Sequence, residues 1–550
     1  MQTDDTLEVK ALLQSNLLVT EHGQLKVHNP IYKAVFSQKW VEEELESVNK
    51  LQPSPRDIEK NQTTDKFNII NSIPAKFYPV PIILFSLLLL VVIFTKLQEW
   101  IVCSPWIVQY DMQPENRCIQ KPISVGERIL IKTEEVSQEN PNFREAKESG
   151  VAAMASGNYQ VAVSYFEQAL RHYPNAPETL IYLNNARSEA THQPTYTIAA
   201  AVPISQDLAA AQAMLRGIAQ AQDQLNQAGG INGVPLKVMI SDDGDNPEMA
   251  KKIASELGEK SEVLGIVGHY YSDMTLAAGK IYEKNKLATI SLSTSVKISG
   301  FSDYVFRTSP SDAFTARALA NYMLSEWDEK KAAVLYNSKS AYSVSLKTEF
   351  VTTVHSTGGE VVAEFDWSEP NFRTQQAFEQ AIERDAQVLM LAPSTVDELQ
   401  SKVLQIVRRN NEEQLKLMGG DVVYSHEILA QDVLGMVVGV FWHPDADPNS
   451  QFRRQSEQLW GADVNWITAM AYDATQAWIE ALKRHPNPPT RTELQQTLSS
   501  PYFSAPGASK PIRFIQTGDR NISVQLVKVI QDDNSAVGYS FDPISTEEEE

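Results

Sequence analysis

The chain has 550 residues, too many for one ordinary hydrophobic core, so two or more domains are expected. Its formal charge of −21 argues against broad binding to nucleic acid or to an anionic membrane surface. Its two cysteines, Cys103 and Cys118, form no CxxC and no Cys/His cluster, so no metal site of the zinc type is expected.

Within residues 1–50, positions 10–50 read as helix, hairpin, helix. LLVTEHGQLKV predicts two short strands around a turn at His22 and Gly23, and the next helix carries Ile31, Val35, Trp40 and Leu45 as its apolar positions. This is the pattern of a small winged-helix-like cytoplasmic segment. HGQLKVHNPIYKAVFSQKWVEEEL resembles the closing part of an AAA-like domain of cyanobacterial multidomain proteins. No GxxxxGK[ST] occurs, so the resemblance carries no ATPase function. Residues 51–76, rich in Pro, Asn, Gln, Thr and Ser, predict a linker.

FYPVPIILFSLLLLVVIFT is the core of an expected membrane span over residues 77–97, close to the roughly 20 apolar residues that a bilayer requires. Its place in the chain argues against a cleaved signal peptide. Arg56, Lys60, Lys66 and Lys76 precede it and only Lys96 follows as far as Glu115, which predicts a cytoplasmic N-terminus and extracytoplasmic C-terminal domains. In that compartment a Cys103–Cys118 disulfide is permitted, and two free thiols remain the alternative. Residues 98–140 read as an extracytoplasmic connector in which SVGERILIK suggests a short strand.

Residues 141–192 place Gly150, Ala153, Gly157, Tyr159, Ala162, Phe166, Ala169 and Pro174 at the spacing of a tetratricopeptide repeat, followed by a capping helix. One repeat is too short for a solenoid, which predicts a helical spacer; a partner-docking surface is the second reading.

Residues 195–535 alternate strands and helices, which predicts parallel sheets flanked by helices in two lobes; an acidic tail follows at 536–550. Gly229, Gly230 and Gly233 end a helix and turn into a strand. DDGDNP has carboxylates enough for calcium, but Gly244 comes too early for an EF-hand loop, and Asn246 as N-cap before Pro247 explains the motif better. Small hydroxyl residues stand at two strand ends, Ser272 and then Ser293, Thr294 and Ser295. Hydroxyls and backbone amides at helix starts suit a small anionic or zwitterionic ligand. No HExxH or GxSxG motif and no supported carboxylate pair occurs, so no enzyme, cofactor or metal is expected, and His269 and His426 read as structural.

LRGIAQAQDQLNQAGGINGVPLKVMISDDGDNP, GIVGHYYSDMTLAAGKIYEKNKLATISLSTS, YVFRTSPSD and LKLMGGD together resemble the type I periplasmic binding proteins, in particular the leucine/isoleucine/valine-binding receptors of ABC transporters. The anchor, single repeat and binding module together also resemble a class of cyanobacterial substrate-binding proteins. The resemblance implies a two-lobed α/β fold and a small amino-acid-like ligand or related amide held in the cleft. Ser272 then meets the ligand carboxylate, Thr294 and Ser295 meet both ligand ends, Asp421 pairs with its ammonium, and Tyr342 closes the cleft from the second lobe. Tyr270 and Tyr271 depart from the family's smaller apolar residues and either narrow the pocket or stack on a planar ligand; Tyr271 is counted among the ligand-binding residues. PISQDLAAAQ lacks the usual glycines of the first turn. The expected partners are ABC permease subunits or, if the chain is a sensor, a cytoplasmic signalling partner; a structural adaptor with an empty cleft is the third reading.

Overall fold

The computed structural model of the chain describes residues 18–21, 24–27, 122–132, 140–395, 398–410, 414–462 and 464–545. The expected membrane span at 77–97, Cys103 and Cys118 lie outside these residues. Among the described residues, no helix is long and apolar enough to cross a membrane. The chain divides into two units, 1–111 and 112–550.

In the first unit, β1 (Leu18–Glu21) and β2 (Gln24–Val27) pair antiparallel, Leu18 opposite Val27. The second unit opens with β3 (Ile123–Ser124) and three helices, α1 (Pro141–Ala155), α2 (Tyr159–His172) and α3 (Pro177–Ala190). Asn140 caps α1 by accepting from the Phe143 amide. Gly150 lets the ring of Phe166 lie against the α1 backbone: a Cβ there would stand 2.6 Å from the ring. Ala153, Ala162 and Ala169 are buried around this contact.

The helices pack against the sheet that follows them in the chain. Asn185 of α3 holds both the amide (3.0 Å) and the carbonyl (2.7 Å) of Val238 and accepts from Gln222. Lys147 and Glu178, both nearly fully buried, form a 2.5 Å ion pair. Glu178 also accepts from the Leu130 and Ile131 amides, and Lys147 donates to the Ile131 carbonyl. The segment 122–132 is thereby fastened between the helices and the sheet behind them.

The first lobe is a six-stranded sheet of order β3, β5 (Leu236–Asp242), β4 (Tyr196–Val202), β6 (Val263–Val267), β7 (Thr289–Ser291), β8 (Val305–Arg307). β4 shows why it is central. Ile198, Ala200 and Val202 enter the core on one face while Ala199 and Ala201 enter the core on the other. The side-chain period of two thus buries both faces, and alanines let helices approach closely. The flanking helices are α4 (Leu208–Gln227), α5 (Pro247–Glu259) and α6 (Ser272–Lys284).

The second lobe carries α7 (Asp312–Ser325), β9 (Lys331–Tyr336), α8 (Ala341–Ser356), β10 (Glu360–Asp366), α9 (Thr374–Glu383), β11 (Val388–Ala392), α10 (Leu404–Arg409), β12 (Lys416–Gly419), α11 (His426–Leu429) and β13 (Val437–Val440). The chain then returns through α12 (Gln451–Trp460) to the first lobe, where α13 (Trp466–Lys483) packs along α4 and α14 (Arg491–Leu498) touches β6. A last crossing at 519–524 returns to the second lobe for β14 (Gln525–Gln531) and β15 (Tyr539–Pro543).

The expectation of parallel sheets needs correction: both sheets are mixed. β3 runs antiparallel to β5, and β14 and β15 are antiparallel additions beyond β13. The physical reason is connectivity. β14 follows a crossing between lobes, β15 a hairpin, and β3 precedes the three helices, so none is delivered by a βαβ unit that would impose the parallel direction.

Candidate functional site

The site is built from four strand ends. β6 leads through His269, Tyr270 and Tyr271 into α6, so Ser272 is the first residue of that helix. Its hydroxyl accepts from the Ser295 amide at 3.2 Å. β7 ends at Ser291, and the turn behind it is pinned by the Leu292 amide donating to the His269 carbonyl at 3.0 Å. Thr294 follows, its carbonyl accepting from the Asp312 amide at 2.8 Å.

From the second lobe, Asp421 stands just beyond β12, and Tyr342 lies in the first turn of α8. The Tyr342 hydroxyl donates to Asp421 Oδ1 at 2.9 Å. Gly420 makes this possible, because a Cβ there would overlap the Tyr342 hydroxyl and stand 2.6 Å from Leu346.

These elements line a cavity that opens to solvent, about 280 Å³ when the open space at its mouth is counted. Tyr270, Tyr271, Ser272, Leu292 and Thr294 line it from the first lobe; Tyr342, Ser394, Asp421 and Val422 line it from the second; Trp466, at the start of α13, completes the wall. Five of the six residues singled out in the sequence therefore meet at one cavity. Ser295 does not line it. It is fully buried beside it and donates to the Ala341 carbonyl at 3.1 Å, a contact between lobes. The Val296 amide donates to Ser345 Oγ at 2.9 Å and the Ala341 amide to Asp273 at 3.1 Å, so the lobes are closed upon each other along this edge.

Two carboxyls dominate the electrostatics. Burial pushes Asp421 up to about 6, against the lowering effect of the Tyr342 hydrogen bond. Burial likewise pushes Asp312 up to about 7; hydroxyl bonds from Ser345 and Thr294 oppose this, and the charge of Asp421 adds to it. Burial and the Asp421 charge hold the Tyr270 and Tyr342 phenols far above their ordinary range, so both are neutral donors. Among the described residues, no lysine, arginine or histidine lines the cavity.

Several neighbours escaped the sequence reading. Ser394 stands two residues beyond β11 as a small hydroxyl residue, the signal that identified Ser272, and Glu398 fixes it by accepting from its amide and hydroxyl, each at 2.8 Å. Asp207, in the glycine-poor turn after β4, accepts from the Tyr271 hydroxyl at 2.7 Å and caps α4 through the Ala210 amide. Trp466 stacks on Tyr270 with ring centroids 6.0 Å apart, and nothing local in its sequence marks it.

His269 is buried behind the cavity, bonded to Asp243 at 2.5 Å and to the Tyr282 hydroxyl at 3.1 Å, and lines no part of it. Asn246 caps α5 through the Glu248 and Met249 amides, as its place before Pro247 predicts. Among the described residues, no group of three or more His, Cys, Asp or Glu side chains is placed to hold a metal ion.

The arrangement can grip a small ligand from two sides. The first turn of α6 offers amides and the Ser272 hydroxyl to an anionic group. Asp421, across the cavity, offers a carboxylate to a cationic one.

Known proteins share this architecture. The sequence profile of a family described as "Periplasmic binding protein" matches residues 195–533. A leucine-, isoleucine-, valine-, threonine- and alanine-binding protein of Pseudomonas aeruginosa is 31% identical over 170 residues, 30% of this chain and 45% of the relative. The chain spans less than half the length of the curated relatives it matches. Among solved structures, a leucine-binding protein from Thermotoga maritima superposes with a TM-score of 0.55 at 20% identity, over 63% of this chain and 98% of that one. A solute-binding protein of an ABC transporter from Rhodopseudomonas palustris, solved with 3,4-dihydroxybenzoic acid, gives 0.56 at 19% identity, over 64% and 96%. These structures share the fold. The match over 195–533, with two mixed-sheet lobes closed over one cavity, places the chain in the periplasmic binding protein family, the type I group that holds the leucine/isoleucine/valine-binding proteins.

Proposed function

We propose that the chain is a solute receptor that captures a small amino-acid-like ligand between its lobes and serves an ABC-type uptake system. One observation carries this reading: Ser272 at the start of α6 and Asp421 beyond β12 face a common cavity from different lobes. A zwitterion bridging them gains a charge-assisted bond at each end and ties the lobes together. In this reading Ser272 and Thr294 receive the carboxylate, and Asp421 receives the ammonium. Tyr342 orients Asp421, and Ser295 supports the turn instead of touching the ligand.

The receptor is held outside the membrane by the apolar run at 77–97, with the N-terminal segment on the cytoplasmic side. The arrangement of basic residues around the run supports this orientation.

Thermal unfolding of the purified full chain with each amino acid in turn tests the reading. A matching ligand at a hundredfold excess over its Kd should add about 2.7 kcal/mol of stability. Ser272→Ala and Asp421→Ala should each remove most of that response while leaving the ligand-free unfolding cooperative. Undiminished ligand stabilisation of both variants would refute the site assignment.

A further inference from the structure

The cavity wall contributed by the chain before α6 is unlike a simple aliphatic pocket. Tyr270 lines the cavity, and its hydroxyl has no hydrogen-bond partner among the described residues. Its neighbour Tyr271 spends its hydroxyl on Asp207, and Tyr342 spends its own on Asp421. Tyr270 is thus the one phenol of the three whose proton is not already donated to a carboxylate. Its ring is held in place by Trp466 at 6.0 Å and, edge to face, by Tyr271 at 4.7 Å. Trp466 is itself backed by Phe441 at 4.7 Å. The Tyr270 ring is thus held between Trp466 and Tyr271, which fixes where its hydroxyl meets the cavity.

The chemistry of a ligand against this wall is constrained in two ways. A branched aliphatic side chain that buries the Tyr270 hydroxyl leaves a polar group without a partner, which is costly. An acidic side chain meets no basic residue in the lining, while Asp421 faces it and Asp312 stands behind Thr294. A neutral side chain ending in a hydroxyl or carboxamide meets neither penalty and completes the bonding of Tyr270.

We propose that Tyr270 is a specificity-determining residue and that the cleft selects amino acids with short, neutral, hydrogen-bonding side chains over branched aliphatic and acidic ones. This rests on the reading of the cavity as an amino-acid cleft. It assigns no role to Tyr270 in gripping the ligand's own ammonium or carboxylate.

The test is calorimetric titration of the purified full chain with serine, threonine, asparagine and glutamine, with leucine, isoleucine and valine, and with aspartate and glutamate. At least one neutral polar amino acid should bind about tenfold or more tighter than any branched aliphatic or acidic one, the scale of one lost hydrogen bond. In Tyr270→Phe, which keeps the ring and its stacking, the polar ligand should lose about tenfold while leucine changes less than twofold. Tightest binding of leucine, isoleucine or valine would overturn the selectivity while leaving the amino-acid cleft intact. So would a Tyr270→Phe variant with an unchanged ratio. A folded chain that binds none of the panel would overturn the amino-acid reading, and the selectivity with it.

Discussion

Asp421 is 6% exposed, and its carboxyl is pushed up to about 6 because water is excluded around it. A raised carboxyl favours the protonated form in the folded, empty cleft. Its contribution to stability is therefore present below about pH 4 and lost as pH rises through about 6. A cationic ligand group requires the ionised form, so binding works in the opposite direction. Ligand affinity should fall about tenfold between pH 7 and pH 5, following the ionised fraction of a group at about 6, and calorimetric titration across that range checks it. In Asp421→Asn the slope should vanish along with most of the affinity. At this scale the sequence was informative where a residue's role follows from its place at a strand end. Ser272, Thr294 and Asp421 all stand just beyond strands and converge on one cavity. Ser295 occupies the same kind of position, but its side chain turns toward α8, and which neighbour a hydroxyl meets is decided by the other lobe.

Helix against helix, α4 packs closely on α13. Gly217 faces the backbone of α13 so closely that a Cβ would overlap the Thr468 carbonyl and stand 2.6 Å from the Tyr472 amide. Gly217 has no unusual dihedral to justify it; the requirement is space alone. Backbone cannot give way as the tip of a flexible side chain can, so Gly217→Ala should push the helices apart. It should destabilise by about 1–3 kcal/mol in denaturant titration, despite the better helix propensity of alanine. An unchanged midpoint would mean that the joint has slack. The helix itself was legible from its apolar periodicity and from the small residues that line its buried face. Its start at Leu208 was not, because Asp207 rather than a glycine turn closes it, and Asp207 has a second task in holding Tyr271.

Across the whole molecule, the crossings between lobes carry buried charge. Arg307, fully buried at the end of β8, donates to Asp519 at 2.6 Å, to the Ser295 carbonyl at 2.9 Å and to Ser299 at 2.7 Å. The next residue, Arg520, is paired with Asp473 of α13 at 2.5 Å. Two ion pairs of opposite direction thus fix the last crossing to the first lobe, immediately before the chain enters the second. Removing one partner strands a buried charge, so Asp519→Ala should cost about 3 kcal/mol and lower the unfolding midpoint. Asp519→Asn, which still accepts from the guanidinium, should recover part of that loss. Because Arg307 also holds the Ser295 turn, the alanine variant should weaken ligand binding even though Asp519 does not line the cavity.

The sequence by itself determined the alternation of strands and helices, the division into two lobes, and the strand-end hydroxyls Ser272 and Thr294, while Asp421 was marked by the family resemblance. It could do so because hydrophobic periodicity and helix starts are properties of neighbouring residues. Only the tertiary structure decided the antiparallel strands at the sheet edges, the docking of α1–α3 onto β5, and the wall formed by Trp466 on Tyr270. Those three join residues from about fifty to nearly two hundred positions apart. What brings them together is packing within each lobe and the burial they share, which no local stretch of chain encodes.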